Sequence, residues 1–183
     1  MMQNLSKQDI QDVIDIIKEL YLEDMIPWIC GYSGGKDSSA VVQLVWLALR
    51  QIPKEKLHKT VHVICTDTMV ESPVVSIWST QSLEKMEKAA KNEGLPIVPH
   101  RLRPSINNTF WVNLIGRGYP YPRRNFRWCT DRMKIDASNT FIKKILDAES
   151  EAILVLGSRK AESVVRKAVM EGYEKKRYRE HLS

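Results

Sequence analysis

The chain has 183 residues, 43% of them hydrophobic, enough for one globular domain with its own core and too few for two full domains. Five tryptophans exclude a disordered chain, and three cysteines without any C-x-x-C spacing (Cys30, Cys65, Cys129) exclude both a disulfide framework and a zinc site built from nearby ligands. A formal net charge of +6 favours an anionic partner, a nucleotide or a nucleic acid.

The opening Met1-Met2-Gln3-Asn4 lacks the basic and apolar regions of a secretory signal, and no apolar run reaches bilayer-spanning length. A cytoplasmic protein without a membrane partner is expected. Ser6 and Asp9 form a capping-box pattern, and Ile10, Val13, Ile14, Ile17, Leu20 and Tyr21 recur at helical spacing, so a first helix is predicted over 6–24. After Pro27, Trp28 to Tyr32 suits a buried strand, and Ser38 to Arg50 a largely buried helix that stops before Pro53. Val61 to Thr66 is rich in β-branched residues and reads as a second strand. Pro73 can start a helix that runs to about Asn92 before Gly94, and Ile97 to His100 is a shorter strand. From Arg101 to Trp128 prolines and glycines break the pattern around one short helix near Phe110 to Ile115. Asp136 to Leu146 is a helix, Ala152 to Leu156 a strand, and a basic helix is predicted from Ser163 to the end. This alternation implies an α/β fold with a parallel twisted sheet and helices on both faces, in a single domain over 1–183 with an irregular basic and aromatic segment at about 101–135. Ligands of such sheets sit beyond the carboxyl ends of the strands, where the motifs below fall.

Ser33-Gly34-Gly35-Lys36-Asp37-Ser38-Ser39 joins the first strand directly to a helix. Glycines let the backbone approach an anion, and the free amides at the helix start point at it with the helix dipole behind them. Ser33, Ser38 and Ser39 add hydroxyls, Lys36 adds charge, and Asp37 could hold magnesium. The Walker pattern is absent. The turn resembles the S-G-G-x-D-S signature of the PP-loop ATP pyrophosphatase superfamily. That resemblance implies an adenine nucleotide α-hydrolase-like fold and cleavage of ATP between its α and β phosphates.

Three further blocks accompany the turn. Thr66-Asp67-Thr68-Met69-Val70-Glu71 closes the second strand, and Asp67 suits either a magnesium or nucleotide ligand or the cap of a polar turn. Gly157-Ser158-Arg159-Lys160-Ala161-Glu162-Ser163-Val164-Val165-Arg166 follows the last strand. Arg159 and Arg166 can each neutralise phosphate with a fork of donors, Glu162 can orient an arginine, and a helix begins near Ser163. The two blocks resemble the D-T-x-x-E and G-x-R-x-x-E-S-x-x-R stretches of the PAPS reductase-like branch. Trp128-Cys129 stands where the cluster-bearing sulfonucleotide (PAPS/APS) reductases carry tandem cysteines, and no cysteine follows Cys129 to serve as the reactive thiol of reduction. Reductase chemistry is therefore the weaker expectation.

The order of blocks, with Tyr119-Pro120-Tyr121-Pro122 before Arg127-Trp128-Cys129-Thr130, resembles the DndC-like family of DNA phosphorothioation proteins from Trp28 to Arg166. That resemblance implies adenylation of an acceptor followed by sulfur transfer, with DNA, a cysteine desulfurase and other phosphorothioation proteins as partners. It makes Cys129 one of four ligands to a [4Fe-4S] cluster, which the remaining cysteines cannot complete. The charged final helix that stops without a cap points to a fragment of a longer protein rather than to a shortened, cluster-free relative. In this scheme ATP binds Ser33 to Ser39, with Asp67, Glu162 and Ser163 contributing. Lys36, Asp37, Arg159 and Arg166 act on the phosphates, and Asp37 and Asp67 hold magnesium.

Between His100 and Lys134 basic residues, among them Arg123, Arg124 and Arg127, alternate with aromatic ones. That mixture suits a nucleic-acid backbone, and equally a solvated loop whose aromatics pack on the core. A tRNA-thiolating enzyme and a non-catalytic ATP-binding module are the other readings.

Overall fold

The computed structural model describes residues 6–123, 126–159, 167–168 and 170–172. Helix α1 (Lys7–Glu23) opens with the expected capping box, in which Ser6 Oγ accepts the Asp9 amide at 3.1 Å and the Ser6 amide donates to Asp9 Oδ2 at 2.7 Å. Strand β1 (Trp28–Gly31) leads into α2 (Lys36–Gln51), followed by β2 (Val61–Thr66), α3 (Pro73–Glu93) and β3 (Ile97–Leu102). After an irregular stretch come α4 (Asp136–Glu149) and β4 (Ile153–Val155). All three strand pairings are parallel, in the order β3-β2-β1-β4.

From β1 the chain steps through β2 to β3 in one direction, and β4 returns to the other side of β1. Right-handed crossovers therefore put α2 and α3 on one face and α4 on the other. The first face is the core: Trp28, Cys30, Val61, Val63 and Ile97 pack against Tyr21, Val42, Val45, Leu49, Leu83 and Ala90. On the second face Phe141 of α4 lies over His62 and His100. The order of strands reverses between β1 and β4, and in such sheets a ligand crevice opens there.

The sequence misjudges several boundaries. β3 continues past His100 because its ladder with β2 runs on to Thr66 and Leu102. Backbone pairing at the open edge of a sheet tolerates Arg101, which the hydrophobic pattern cannot anticipate. β4 is shorter than 152–156, since it pairs only with Trp28 to Cys30. The irregular stretch holds π-helical turns at Val112–Gly116 and Thr130–Ile135, the second feeding straight into α4. Of the basic helix expected from Ser163, residues 167–168 and 170–172 are helical, and the rest lies outside the described residues.

Candidate functional site

Gly35 has no side chain to cap α2, and among the described residues no side chain accepts from the amides of its first turn. The loop before it is held from within. Ser38, buried at the helix start, accepts the Ser33 amide at 3.1 Å, lies 3.0 Å from the Ser33 hydroxyl and donates to the Gly35 carbonyl at 3.1 Å. The Ser39 amide donates to the Gly35 carbonyl at 2.9 Å. Ser38 is thus a brace for the loop, while Ser33, Gly35 and Lys36 are exposed. Gly34 has φ 71°, a left-handed conformation that favours glycine, and a Cβ there would collide with the indole of Trp78 on α3.

The loop after β4 packs on this turn. A Cβ on Gly157 would lie 2.7 Å from the Asp37 carbonyl oxygen, so glycine is what allows the two backbones to meet. Two residues on, Arg159 Nε donates to Asp37 Oδ1 at 2.8 Å. Gly157 and Arg159, distant in sequence from the Ser33 turn, form one wall with it at the switch point.

Behind that wall a cavity of about 450 Å³ opens between the sheet and α4. Its sheet side is Gly31, Ile64, Thr66, Leu154 and Leu156, and its far side Ile135, Ser138, Asn139 and Ile142. An apolar cleft of this size with a few polar groups is typical of small-molecule sites. Glu71 and Lys134 also line it and approach each other, Nζ to Oε1, at 3.9 Å.

Asp67 is buried at the end of β2. Its Oδ1 accepts the Met69 amide at 3.0 Å, and its Oδ2 takes Arg101 Nη2 at 2.6 Å and Arg103 Nε at 3.4 Å. Burial pushes its pKa up, but the Met69 amide and the two guanidinium groups outweigh that and hold it below the ordinary 3.8. The turn they pin is strained, with Met69 at φ 63°. Both oxygens of Asp67 are engaged in holding a turn and two arginines. Asp37 is the carboxylate that fits magnesium beside a bound phosphate, a cation that takes one or two carboxylates and keeps several waters.

The cysteines do not fit a [4Fe-4S] cluster. Cys30 and Cys65 are buried within β1 and β2, and a cluster takes four cysteine ligands where this chain has three cysteines in all. Among the described residues no group of three or more His, Cys, Asp or Glu converges as metal ligands. Cys129 is partly exposed.

The basic and aromatic segment divides in two. Phe110 and Tyr119 each pack on Trp128, with Trp128 Nε1 donating to the Pro120 carbonyl at 2.9 Å and Arg132 over the Tyr119 ring. Trp111, Tyr121 and Phe126 remain exposed. Arg123 pairs with Phe126 through two backbone hydrogen bonds of 3.0 and 2.9 Å, and Arg127 is exposed. Arg124, Glu162, Ser163 and Arg166 lie outside the described residues.

Sequence reasoning missed Trp78, the packing role of Gly157 and the lining from α4. Ile135, Ser138, Asn139 and Ile142 recur at helical spacing, a pattern that would have marked one face of that helix.

No family model matches the chain. The uncharacterized protein MJ0066 of Methanocaldococcus jannaschii is 28% identical over 153 residues, which cover 84% of this chain and 27% of that protein. Among solved structures, the U34-tRNA thiolase NcsA from Methanococcus maripaludis, with its [4Fe-4S] cluster, is similar at a TM-score of 0.51 and 16% identity. The match covers 94% of this chain and 53% of that one. The chain therefore spans only part of each of these relatives, and the likeness to the thiolase shows a shared α/β fold.

Proposed function

We propose that this chain is an ATP pyrophosphatase that adenylates a nucleic-acid acceptor for sulfur transfer. One observation carries the reading: a helix start with free amides, flanked by Lys36 and Arg159, opens at the mouth of an apolar cavity at the switch point. Such a cavity suits an adenosine, and the polar end suits its phosphates.

In this scheme an oxygen of the acceptor attacks the α-phosphorus of ATP, the bond to the β-phosphate oxygen breaks, and pyrophosphate leaves. A sulfur nucleophile then displaces AMP from the adenylated acceptor. The residues position and neutralise charge rather than form bonds. The α2 amides and Lys36 bind the phosphates, and Arg159, held by Asp37, faces the charge that develops as pyrophosphate departs. Asp37 would hold magnesium, which supplies further neutralisation of the phosphates. By resemblance Glu162, Ser163 and Arg166 complete this set, and Arg123, Arg124 and Arg127 serve the acceptor. A cysteine desulfurase is the sulfur source that the resemblance implies.

DNA is the acceptor favoured by the resemblance to the DndC-like family. The likeness in fold to a U34-tRNA thiolase favours tRNA as the second reading. Pyrophosphate release in the presence of duplex DNA, single-stranded DNA or bulk tRNA separates them. Stimulation by DNA alone supports the first, stimulation by tRNA alone the second, and no response to any of the three removes the nucleic-acid acceptor.

A further inference from the structure

A second cavity, of about 440 Å³, lies between the end of β3 and the first half of α4. It takes the face of α4 next to the one that lines the nucleotide cavity: Ala137, Thr140, Phe141 and Lys144 here, Ile135, Ser138, Asn139 and Ile142 there. One helix thus walls both spaces.

Its lining is cationic. Arg103 and Lys144 accompany a single lining carboxylate, Asp136, which is held by Asn108 Nδ2 at 3.2 Å. Asp67 offsets part of the arginine charge, taking Arg103 through Nε alone, at 3.4 Å, and Arg101 through Nη2. The two Nη groups of Arg103 take no part in that contact, whereas Arg101, on the face of β3 turned to α3, gives its Nη2 to Asp67 and to Ser76 Oγ at 3.0 Å. A guanidinium and an ammonium group lining one cleft suit a phosphate. Ser105, whose side chain caps nothing, adds a hydroxyl, while Leu102 and Phe141 add apolar surface. The volume exceeds what a lone phosphate needs and accommodates a sugar as well.

We propose that this cleft takes one nucleotide unit of the acceptor strand, its backbone phosphate on Arg103 and Lys144 and its sugar against Leu102 and Phe141. The inference rests on the nucleic-acid acceptor of the preceding section. It adds a binding site, on described residues, that is separate from the Arg123 to Arg127 segment. The cleft anchors the strand beside α4 while the reacting nucleotide turns towards the ATP cavity on the adjoining face.

The test is fluorescence anisotropy of labelled single-stranded DNA and RNA oligonucleotides with the full chain, across a salt series. Lys144→Glu and Arg103→Gln should each weaken binding about tenfold at low salt and lower the salt slope by about one ion. Lys85→Glu, an equal change of charge on the exposed outer side of α3, should leave it unaltered. Rescue by Lys144→Arg supports a charge contact. Unchanged binding in the cleft variants, or an equal loss in Lys85→Glu, overturns the inference while leaving the acceptor reading in place. Failure of the unsubstituted chain to bind either oligonucleotide removes both. A parallel titration with inorganic phosphate and a mononucleotide identifies the source. If these bind, and the cleft variants lose them without losing the oligonucleotide, the cleft serves a small phosphate and the strand assignment is wrong.

Discussion

Arg159 reaches from the loop after β4 to Asp37 in the first turn of α2, Nε to Oδ1 at 2.8 Å. The contact joins the two sides of the switch point, and Gly157 beneath it lets the backbones touch. Two residues with separate expected roles, one on phosphate and one on magnesium, form an ion pair.

That coupling leads to a separation of stability from activity. Half the Arg159 side chain is exposed, so breaking the pair should change folding stability by no more than about 1 kcal/mol. If Arg159 meets charge that develops during cleavage, Arg159→Ala should lower kcat by about 10²- to 10³-fold. Thermal melting and steady-state AMP formation on the same preparation measure both. A large fall in melting temperature with little change in kcat would make the arginine structural.

Gly34 and Trp78 should behave as a coupled pair. Gly34→Ala forces a side chain into a left-handed backbone and into the Trp78 indole, with an expected cost of about 1 to 3 kcal/mol. Trp78→Ala removes the collision but not the backbone strain. In a double-mutant cycle by urea denaturation, Gly34→Ala should therefore cost less in the Trp78→Ala background. Strict additivity would mean that the indole does not constrain the loop.

His62 and His100 give a pH dependence. His62 Nδ1 and His100 Nε2 are 3.0 Å apart beneath Phe141. Burial lowers both pKa values below the ordinary 6.5. The His62 and Lys144 charges lower His100 further, while Glu149 works the other way on His62. With folded values below the unfolded one, the unfolded chain takes up protons first as pH falls. The stability is present above about 6.5 and declines below it. Urea midpoints from pH 7.5 to 5 should fall, and fall less steeply in His100→Leu. Parallel curves for both proteins would contradict the assignment.

The three thiols should differ in reactivity. Burial holds Cys30 and Cys65 as neutral thiols, Cys30 up to about 12, whereas Cys129 is partly exposed. Iodoacetamide at neutral pH should modify Cys129 alone in the folded chain and all three after denaturation, as read by peptide mass spectrometry. Early modification of Cys30 would mean that β1 is not buried as described.

The sheet and the phosphate turn were legible because they follow from local rules. β-branched runs alternate with helical periodicity, and glycines sit between a strand and a helix. The partners of Asp67 were not, since Arg101 and Arg103 reach it from a neighbouring strand and the residues after it, across a pairing register that composition does not encode. The role of Gly157 was hidden for a similar reason. Its value lies in what it lets approach, the Asp37 carbonyl, and a sequence shows no approach. Among the aromatics, Trp128 and Tyr121 look alike in sequence, yet one is buried and the other exposed, which only packing decides.

The central claim is cleavage of ATP between its α and β phosphates at the Ser33 to Ser39 turn. Phosphorus NMR of the products formed from ATP and magnesium, with nucleic acid present, tests it most directly. AMP and pyrophosphate in equal amounts, abolished by Lys36→Ala, are the predicted result. ADP and inorganic phosphate would contradict it.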